Sequence, residues 1–278
     1  MFTDTHLHLC DSKFDADRDA AIQRALAAQV TTLIEIAESP AAWEPAIRLA
    51  EKHPFVYASL GIHPHYAHQA GPAEWPALEQ KMRALLRHPK VAAVGECGLD
   101  YVRMQNTAEQ QAFLFRRQLT LAKEYGKPIV VHCRDAHADT QKMLKEFYPE
   151  TSLVVERPDP VGVIHCFSGD WPDAQTYLMR GFFLGVDAPV TYPSSKKLQE
   201  IVTRLPLERL VLETDSPYLP PQTHRGQRNE PSHLPAIAEA VGSLKRKTRD
   251  EVAETTTRNA RALFRLSQLG ERPTSGVG

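Results

Sequence analysis

The chain has 278 residues, of which 42% are apolar and 24% charged, with a formal net charge of −1 and a sequence pI near 6.9. This composition is typical of a globular protein and excludes the broad basic surface by which many proteins bind duplex DNA. No stretch approaches the ~20 apolar residues of a membrane span and no leader pattern begins the chain, so we expect a cytoplasmic protein without membrane contact. Four cysteines, none in a Cys-x-x-Cys pair, predict buried thiols rather than a disulfide scaffold.

Strand and helix patterns alternate along the chain. The first strand is predicted at residues 2–9, a helical pattern follows at 15–29, and a second strand lies at 31–36. Six further strands are predicted at residues 55–60, 91–96, 129–132, 163–165, 182–186 and 210–215. Helical segments separate them, and the clearest begins at a capping box of Thr107 and Gln110.

Eight short apolar strands separated by helices indicate an α/β fold with a parallel sheet buried on both faces. Closed on itself, this sheet is a (βα)8 TIM barrel; an open doubly wound sheet, which usually has fewer strands, is the alternative. We expect one barrel domain over residues 1–266 and a flexible tail over 267–278. Residues 217–231 predict a long loop above the barrel, and residues 148–160 predict a surface excursion that leaves room for an edge strand at 153–155.

Imidazole and carboxylate side chains recur where the predicted strands end. His6 and His8 are two apart on the first strand and project to one face as a pair of ligands, although two chance histidines are the alternative for this motif alone. Four more candidates follow at other strand ends, namely Glu96, His132, His165 and Asp215. Barrel active sites are built at these ends. Six ligands are too many for one catalytic ion with an open position, so the pattern predicts two divalent ions that share a carboxylate.

Several short motifs make the chain resemble the TatD family of metal-dependent hydrolases, a branch of the amidohydrolase superfamily. The motifs lie at residues 4–8, 61–65, 95–100, 132–134, 165–169, 213–217, 225–231 and 259–264. The resemblance implies that one ion is held by His6, His8 and Asp215. It implies that His132 and His165 hold the other and that Glu96 bridges the two. It also implies phosphodiester hydrolysis on DNA, often from the 3′ end.

The residues fit this chemistry independently of the resemblance. Two ions lower the pKa of a bound water and neutralise charge on phosphoryl oxygens, and Asp215 is placed to act as the general base. His63 ends the third strand and is expected to contact a substrate phosphate or the leaving oxygen, with a plain turn histidine as the alternative. Asp4 and Glu213 are predicted one layer deeper, where they orient ligands or form buried ion pairs. His65 and His68 are expected on the surface.

Three arginines are candidates for phosphate binding. Arg225 and Arg228 belong to the loop above the barrel, and Arg134 lies next to the ligand His132. A guanidinium can bind a phosphate through two parallel hydrogen bonds, and solvated loop arginines are the alternative.

The first functional hypothesis is a deoxyribonuclease that uses two divalent ions, Mg, Mn or Zn, on single-stranded or frayed DNA, expected to act 3′ to 5′. The alternative is hydrolysis of an amide, lactone or aminoacyl ester at the same centre. A non-catalytic, metal-stabilised partner protein is the weakest hypothesis, because a full ligand set is costly to keep without chemistry. A monomer with no obligate protein partner is expected.

Overall fold

Eight parallel strands, paired in chain order, form the centre of the fold. The computed structural model describes residues 1–149 and 160–266, so the expectations for residues 153–155 and for the tail lie outside the described residues. The strands are β1 (Phe2–Leu7), β2 (Val30–Ala37), β3 (Val56–Leu60), β4 (Val91–Asp100), β5 (Ile129–Arg134), β6 (Gly162–Ile164), β7 (Phe182–Val186) and β8 (Leu210–Leu212). A parallel bridge between Leu7 and Ser216 closes the sheet. The predicted TIM barrel is confirmed, and the open-sheet alternative is wrong.

Helices connect the strands and close the barrel. Those of the described residues are α1 (Arg18–Ala27), α2 (Trp43–Lys52), α3 (Trp75–Leu85), α4 (Ala108–Glu124), α5 (His137–Phe147), α6 (Trp171–Met179), α7 (Lys196–Arg204), α8 (Leu234–Lys245) and α9 (Arg249–Phe264). The predicted capping box is confirmed, because the side chain of Thr107 accepts the N–H of Gln110. Thr248 forms another with Glu251 at the start of α9. None of these helices has the length and apolar character to cross a bilayer.

Strand β4 extends to Asp100, so the predicted end at Glu96 is wrong. Gly95 and Gly98 adopt φ values of +127° and +150°, and the pairing register shifts between Val94 and Cys97. A side chain at Gly98 would collide with the backbone carbonyl of the residue it pairs with on β5. Glycine at this position therefore lets β4 approach β5 closely and continue beyond Glu96.

Strands β1 and β8 are shorter than predicted. They end at Leu7 and Leu212, so His8 and Asp215 lie in the backbone that follows them. Asp215 adopts a left-handed backbone with φ +55°, which the regular strand geometry of the prediction does not allow.

Apolar residues fill one end of the barrel interior. The strand residues of this cluster are Ile34, Ile36, Ala92, Ala93, Val130, Val163, Phe183 and Val211. Leu263 and Phe264 of α9 pack against them and close that end. Side chains two residues further along the same strands point to the same face. The inward-facing polar residues therefore lie at the opposite, carboxyl end of the barrel.

Candidate metal centre

Glu96 lies at the centre of the predicted ligands. Its Oε1 is 2.7 Å from Nδ1 of His132, and its Oε2 is 3.3 Å from Nε2 of His6. Nε2 of His63 and Nε2 of His165 lie 3.7 and 3.9 Å from Oε1. The two oxygens of one carboxylate therefore face different imidazoles, and bridging of two ions by Glu96 stays a prediction.

Asp215 faces three imidazole nitrogens, two of which also lie near Glu96. Its Oδ1 is 3.4 Å from Nε2 of His8, 3.7 Å from Nε2 of His6 and 3.8 Å from Nε2 of His165. The rings of His6 and His165 stack with centroids 3.4 Å apart. Residues at or near the ends of five predicted strands thus bring their polar side chains together, as the sequence pattern predicts.

Three overlapping groups of residues are spaced to hold a metal ion. They are His6, His8 and Glu96; His6, His165 and Asp215; and His63, Glu96 and His132. All six predicted ligands occur in them, and His63 is an addition. His165 is grouped with His6 and Asp215, whereas the family resemblance pairs it with His132. How the ligands are shared between two ions therefore stays a prediction.

The burial of His6 supports occupancy by a cation. The residue has no exposed surface, and neither ring nitrogen has a hydrogen-bond partner among the described residues. A buried imidazole left unpaired is unfavourable. A divalent ion between Nε2 of His6 and the carboxylates of Glu96 and Asp215 would satisfy it, and this nitrogen and oxygen donor set suits zinc or manganese.

The imidazoles set the ionisation of the two carboxylates. Burial alone would raise the pKa of Glu96, but the surrounding histidines, His63 most strongly, hold that pKa well below its usual range. Burial also acts to raise the pKa of Asp215. The hydrogen bond with His8 and the charges of His165 and His6 outweigh burial, so that pKa is lowered. Both carboxylates are therefore negative at neutral pH and attract a cation. Burial and the nearby His132 lower the pKa of His63 well below its usual value, so that ring is neutral.

Further carboxylates orient the candidate ligands. Oε1 of Glu213 lies 3.0 Å from Nδ1 of His165 and accepts the N–H of Cys166 at 2.6 Å, as expected of a residue that positions a ligand. Asp4 accepts the backbone N–H and the hydroxyl of Thr214 at 3.0 and 2.6 Å. It therefore ties β1 to the segment that carries Asp215.

Asp100 is a residue of the centre that the sequence prediction missed. Its Oδ2 lies 3.1 Å from Nε2 of His132 and 3.0 Å from Nε2 of His65. Its Oδ1 accepts the N–H groups of Val102 and Arg103, each at 2.8 Å. The expected surface position of His65 is therefore wrong, because Asp100 draws its ring into the site. Alternation along a longer β4 would have placed Asp100 on the inner face with Glu96.

Glu38, just after β2, is a second missed carboxylate. It accepts the hydroxyl of Tyr66 at 3.3 Å. Burial raises its pKa, while the positive charge of His8 opposes that rise and the charge of Glu96 adds to it. The carboxyl end of the barrel therefore carries a half-buried acidic group beside His8.

The candidate phosphate-binding arginines differ in what they contact. The guanidinium of Arg228 donates to both oxygens of Asp17 at 2.7 and 2.8 Å and to Glu230 at 2.7 Å, so it is committed to ion pairs within the protein. The guanidinium of Arg225 lies 4.6 Å from the ring centroid of Tyr192 on an exposed loop. Arg134 ends β5 with an exposed side chain. Substrate contact by these arginines stays a prediction. Of the two loop arginines, Arg225 is the more exposed, and it is the better candidate because Arg228 is already in ion pairs.

Comparisons with known proteins agree with this geometry. A family model described as TatD related DNase matches residues 3–265. The chain is 37% identical over 268 residues to the uncharacterized metal-dependent hydrolase YabD of Bacillus subtilis, across 96% of this chain and 100% of that one. It is 35% identical over 270 residues to a protein of Erwinia tasmaniensis named 3′-5′ ssDNA/RNA exonuclease TatD, across 95% and 99% of the two chains. The crystal structure of the TatD homologue YjjV of Escherichia coli matches with a TM-score of 0.85 and 33% identity, across 95% and 98%.

Proposed function

Because the chain belongs to the TatD family of metal-dependent hydrolases, we propose that it cleaves phosphodiester bonds of single-stranded nucleic acid, with DNA as the primary substrate, from the 3′ end. The observation that carries the proposal is the carboxylate of Glu96, whose two oxygens face His6 and His132 beside Asp215. This arrangement suits two-metal phosphoryl chemistry. Relatives named as ssDNA/RNA exonucleases support nucleic acid as the substrate class.

The residues of the centre divide into holding and reacting groups. When bound, two divalent ions supply Lewis acidity to the phosphoryl group and a water of lowered pKa. The side chain of Glu96 is 3% exposed, so Glu96 serves to hold the ions. The side chain of Asp215 is 14% exposed. Asp215 is therefore the carboxylate that attacking water can reach, and it accepts the proton as general base.

His63 acts as a hydrogen-bond donor to the substrate in this proposal. Its Nδ1 accepts the N–H of His65 at 3.1 Å. A neutral ring that accepts at Nδ1 carries its proton on Nε2. Nε2–H then points toward Glu96 and the reacting phosphate, where it stabilises a phosphoryl or leaving oxygen.

The net charge favours a chain end over a duplex. With a formal charge of −1, the protein lacks the basic field that holds a long duplex. A single strand or frayed end places one phosphate at the centre without needing that field.

The test is hydrolysis of single-stranded DNA and RNA, labelled at either end, by protein stripped of metal and refilled with Mg²⁺, Mn²⁺ or Zn²⁺. We expect a ladder that shortens from the 3′ end with at least one ion and no products with chelator. Glu96→Gln should abolish the ladder, and His68→Gln, which changes an exposed histidine of the same rim, should not. Intact DNA and RNA with every ion, together with hydrolysis of carbonyl esters, would overturn the proposal.

A further inference from the structure

Two adjacent apolar side chains are exposed beside the metal centre. Tyr218 and Leu219, in the loop after β8, keep 40% and 37% of their surface exposed. We infer that these two residues, the Tyr218–Leu219 patch, form a nucleobase subsite that stacks on an unpaired base next to the scissile phosphate. The inference rests on the proposed function and names how that function selects its substrate.

The position of Tyr218 links the patch to the ligands. Tyr218 follows Asp215 by three residues, and its N–H donates to the carbonyl of Asp215 at 2.9 Å. Its ring centroid lies 5.9 Å from that of His8, with the ring planes 70° apart. A base stacked on Tyr218 therefore belongs to a nucleotide whose phosphate is at the centre or adjacent to it.

The loop is held in place although its side chains are exposed. The amide nitrogen of the fully buried Asn229 donates to the carbonyls of Thr214 and Tyr218 at 2.7 Å each and of Leu219 at 3.2 Å. The hydroxyl of Tyr218 donates to Asp11 at 2.7 Å. An aromatic ring fixed at both ends loses little conformational freedom when it binds a ligand.

The backbone of Leu219 is strained in this arrangement. Its φ is +47°, a left-handed conformation that a leucine rarely adopts. The surrounding hydrogen bonds of Asn229 hold it there. An exposed apolar residue that is held in a strained backbone beside the centre is a candidate for ligand contact.

The charge beside the patch matches a nucleotide. The ammonium of Lys13 lies 4.3 Å from the centroid of the Tyr218 ring on an exposed side chain. A base on the remaining exposed surface of the ring would bring its phosphate backbone within reach of this cation. Tyr192, which lies near the same loop, is only partly exposed whereas Tyr218 is exposed, so Tyr192 offers less open ring surface.

Stacking of this kind explains a preference for single strands. Every base has an aromatic face, so the patch accepts any sequence, but a base in a duplex is already stacked and paired. We therefore expect the patch to read the presence of an unpaired base rather than its identity.

The experiment combines variants of Tyr218 with oligonucleotides in which one of the three 3′-terminal nucleotides is abasic. With the holoenzyme and with Tyr218→Phe, an abasic residue at one position should lower kcat/KM about tenfold. Tyr218→Ala should lose about tenfold on the intact oligonucleotide and be insensitive to the abasic residue. Tyr57→Ala is the matched control. Tyr57 lies near the start of β3, away from the carboxyl end of the barrel, and the ammonium of Lys90 lies 4.7 Å from the centroid of its ring. This variant should keep the sensitivity of the parent enzyme.

The outcomes separate the inference from the function it rests on. Cleavage that is indifferent to every abasic position, or equally sensitive in Tyr218→Ala and the parent enzyme, overturns the subsite and leaves the nuclease standing. An enzyme that cleaves none of the oligonucleotides overturns both. Circular dichroism spectra of the variants establish that each is folded.

Discussion

Asp100 holds His132 from the side opposite Glu96: its Oδ2 lies 3.1 Å from Nε2 of the imidazole, while Nδ1 lies 2.7 Å from Glu96. Both ring nitrogens of a candidate ligand are thereby fixed by carboxylates. An outer carboxylate of this kind sets the tautomer and orientation of a ligating histidine. Asp100 is therefore a positioning residue of the centre.

We expect Asp100→Asn to weaken metal binding about 10- to 100-fold while the protein stays folded. The amide cannot act as a charged acceptor for the ring N–H, so the orientation of His132 is less strongly fixed. The Mn²⁺ concentration that gives half-maximal activity should rise, and the activity should recover at saturating Mn²⁺. Asp139→Asn is the control, because Asp139 accepts the hydroxyl of Tyr101 at 2.8 Å on the same rim without contacting the centre. An unchanged metal dependence in Asp100→Asn would contradict the positioning role.

The sequence predicted the convergence of the candidate ligands, but it missed part of what supports them. His6 and His8 share a face because strand residues two apart always do, so the pair is recognisable locally. The contact of Asp100 with His132 depends on how far β4 continues after its register shift beside β5, which no local pattern specifies. One partner of Arg228 is also distant: Asp17 is 211 residues away in the chain. Loop position predicts exposure of an arginine but not the carboxylate it meets in the fold.

Mutation of the two loop arginines should have different effects. Arg225→Ala should weaken phosphate substrates by about 1–3 kcal/mol and spare neutral esters, because its guanidinium is exposed and lies over the ring of Tyr192. Arg228→Ala should instead lower stability by roughly 1 kcal/mol through the loss of its ion pairs with Asp17 and Glu230. Steady-state kinetics on a phosphodiester and a carboxylic ester, with thermal unfolding of both variants, decides the matter. Equal loss on both substrates in Arg225→Ala would show that this arginine is structural.

Acid should destabilise the protein through His233. Burial and the neighbouring His224, stacked at 4.0 Å, lower the pKa of His233 to about 4, with Arg24 acting in the same direction and Glu230 opposing. The unfolded chain takes up a proton near pH 6.5, which the folded protein accepts only near pH 4. Stability contributed by the neutral ring is therefore present above pH 6.5 and is lost as the pH falls from there toward 4.

His233→Asn should reduce this dependence. The asparagine retains a polar atom near the position of Nδ1, which contacts Asn229 at 2.9 Å, but it takes up no proton. The unfolding midpoint of the variant, relative to the parent, should rise between pH 7 and pH 5 in the same buffer series. His68→Asn, at an exposed histidine, is the control and should follow the parent protein. Parallel curves for all three proteins would contradict the role of His233.

Metal should stabilise the folded protein as well as activate it. In its absence the carboxylates of Glu96 and Asp215 face one another across His6, whose ring nitrogens lack hydrogen-bond partners among the described residues. A ligand that binds only the folded state adds ~4 kcal/mol at 1,000 times its Kd, which raises Tm by on the order of 10 °C. Asp215→Asn should reduce this increment because it removes a charged ligand. It should also lower the Tm measured in chelator relative to the parent protein, because the lowered pKa of Asp215 shows that the imidazoles of His8, His165 and His6 stabilise its charge. A variant that gains as much from metal as the parent protein would show that Asp215 is not a ligand.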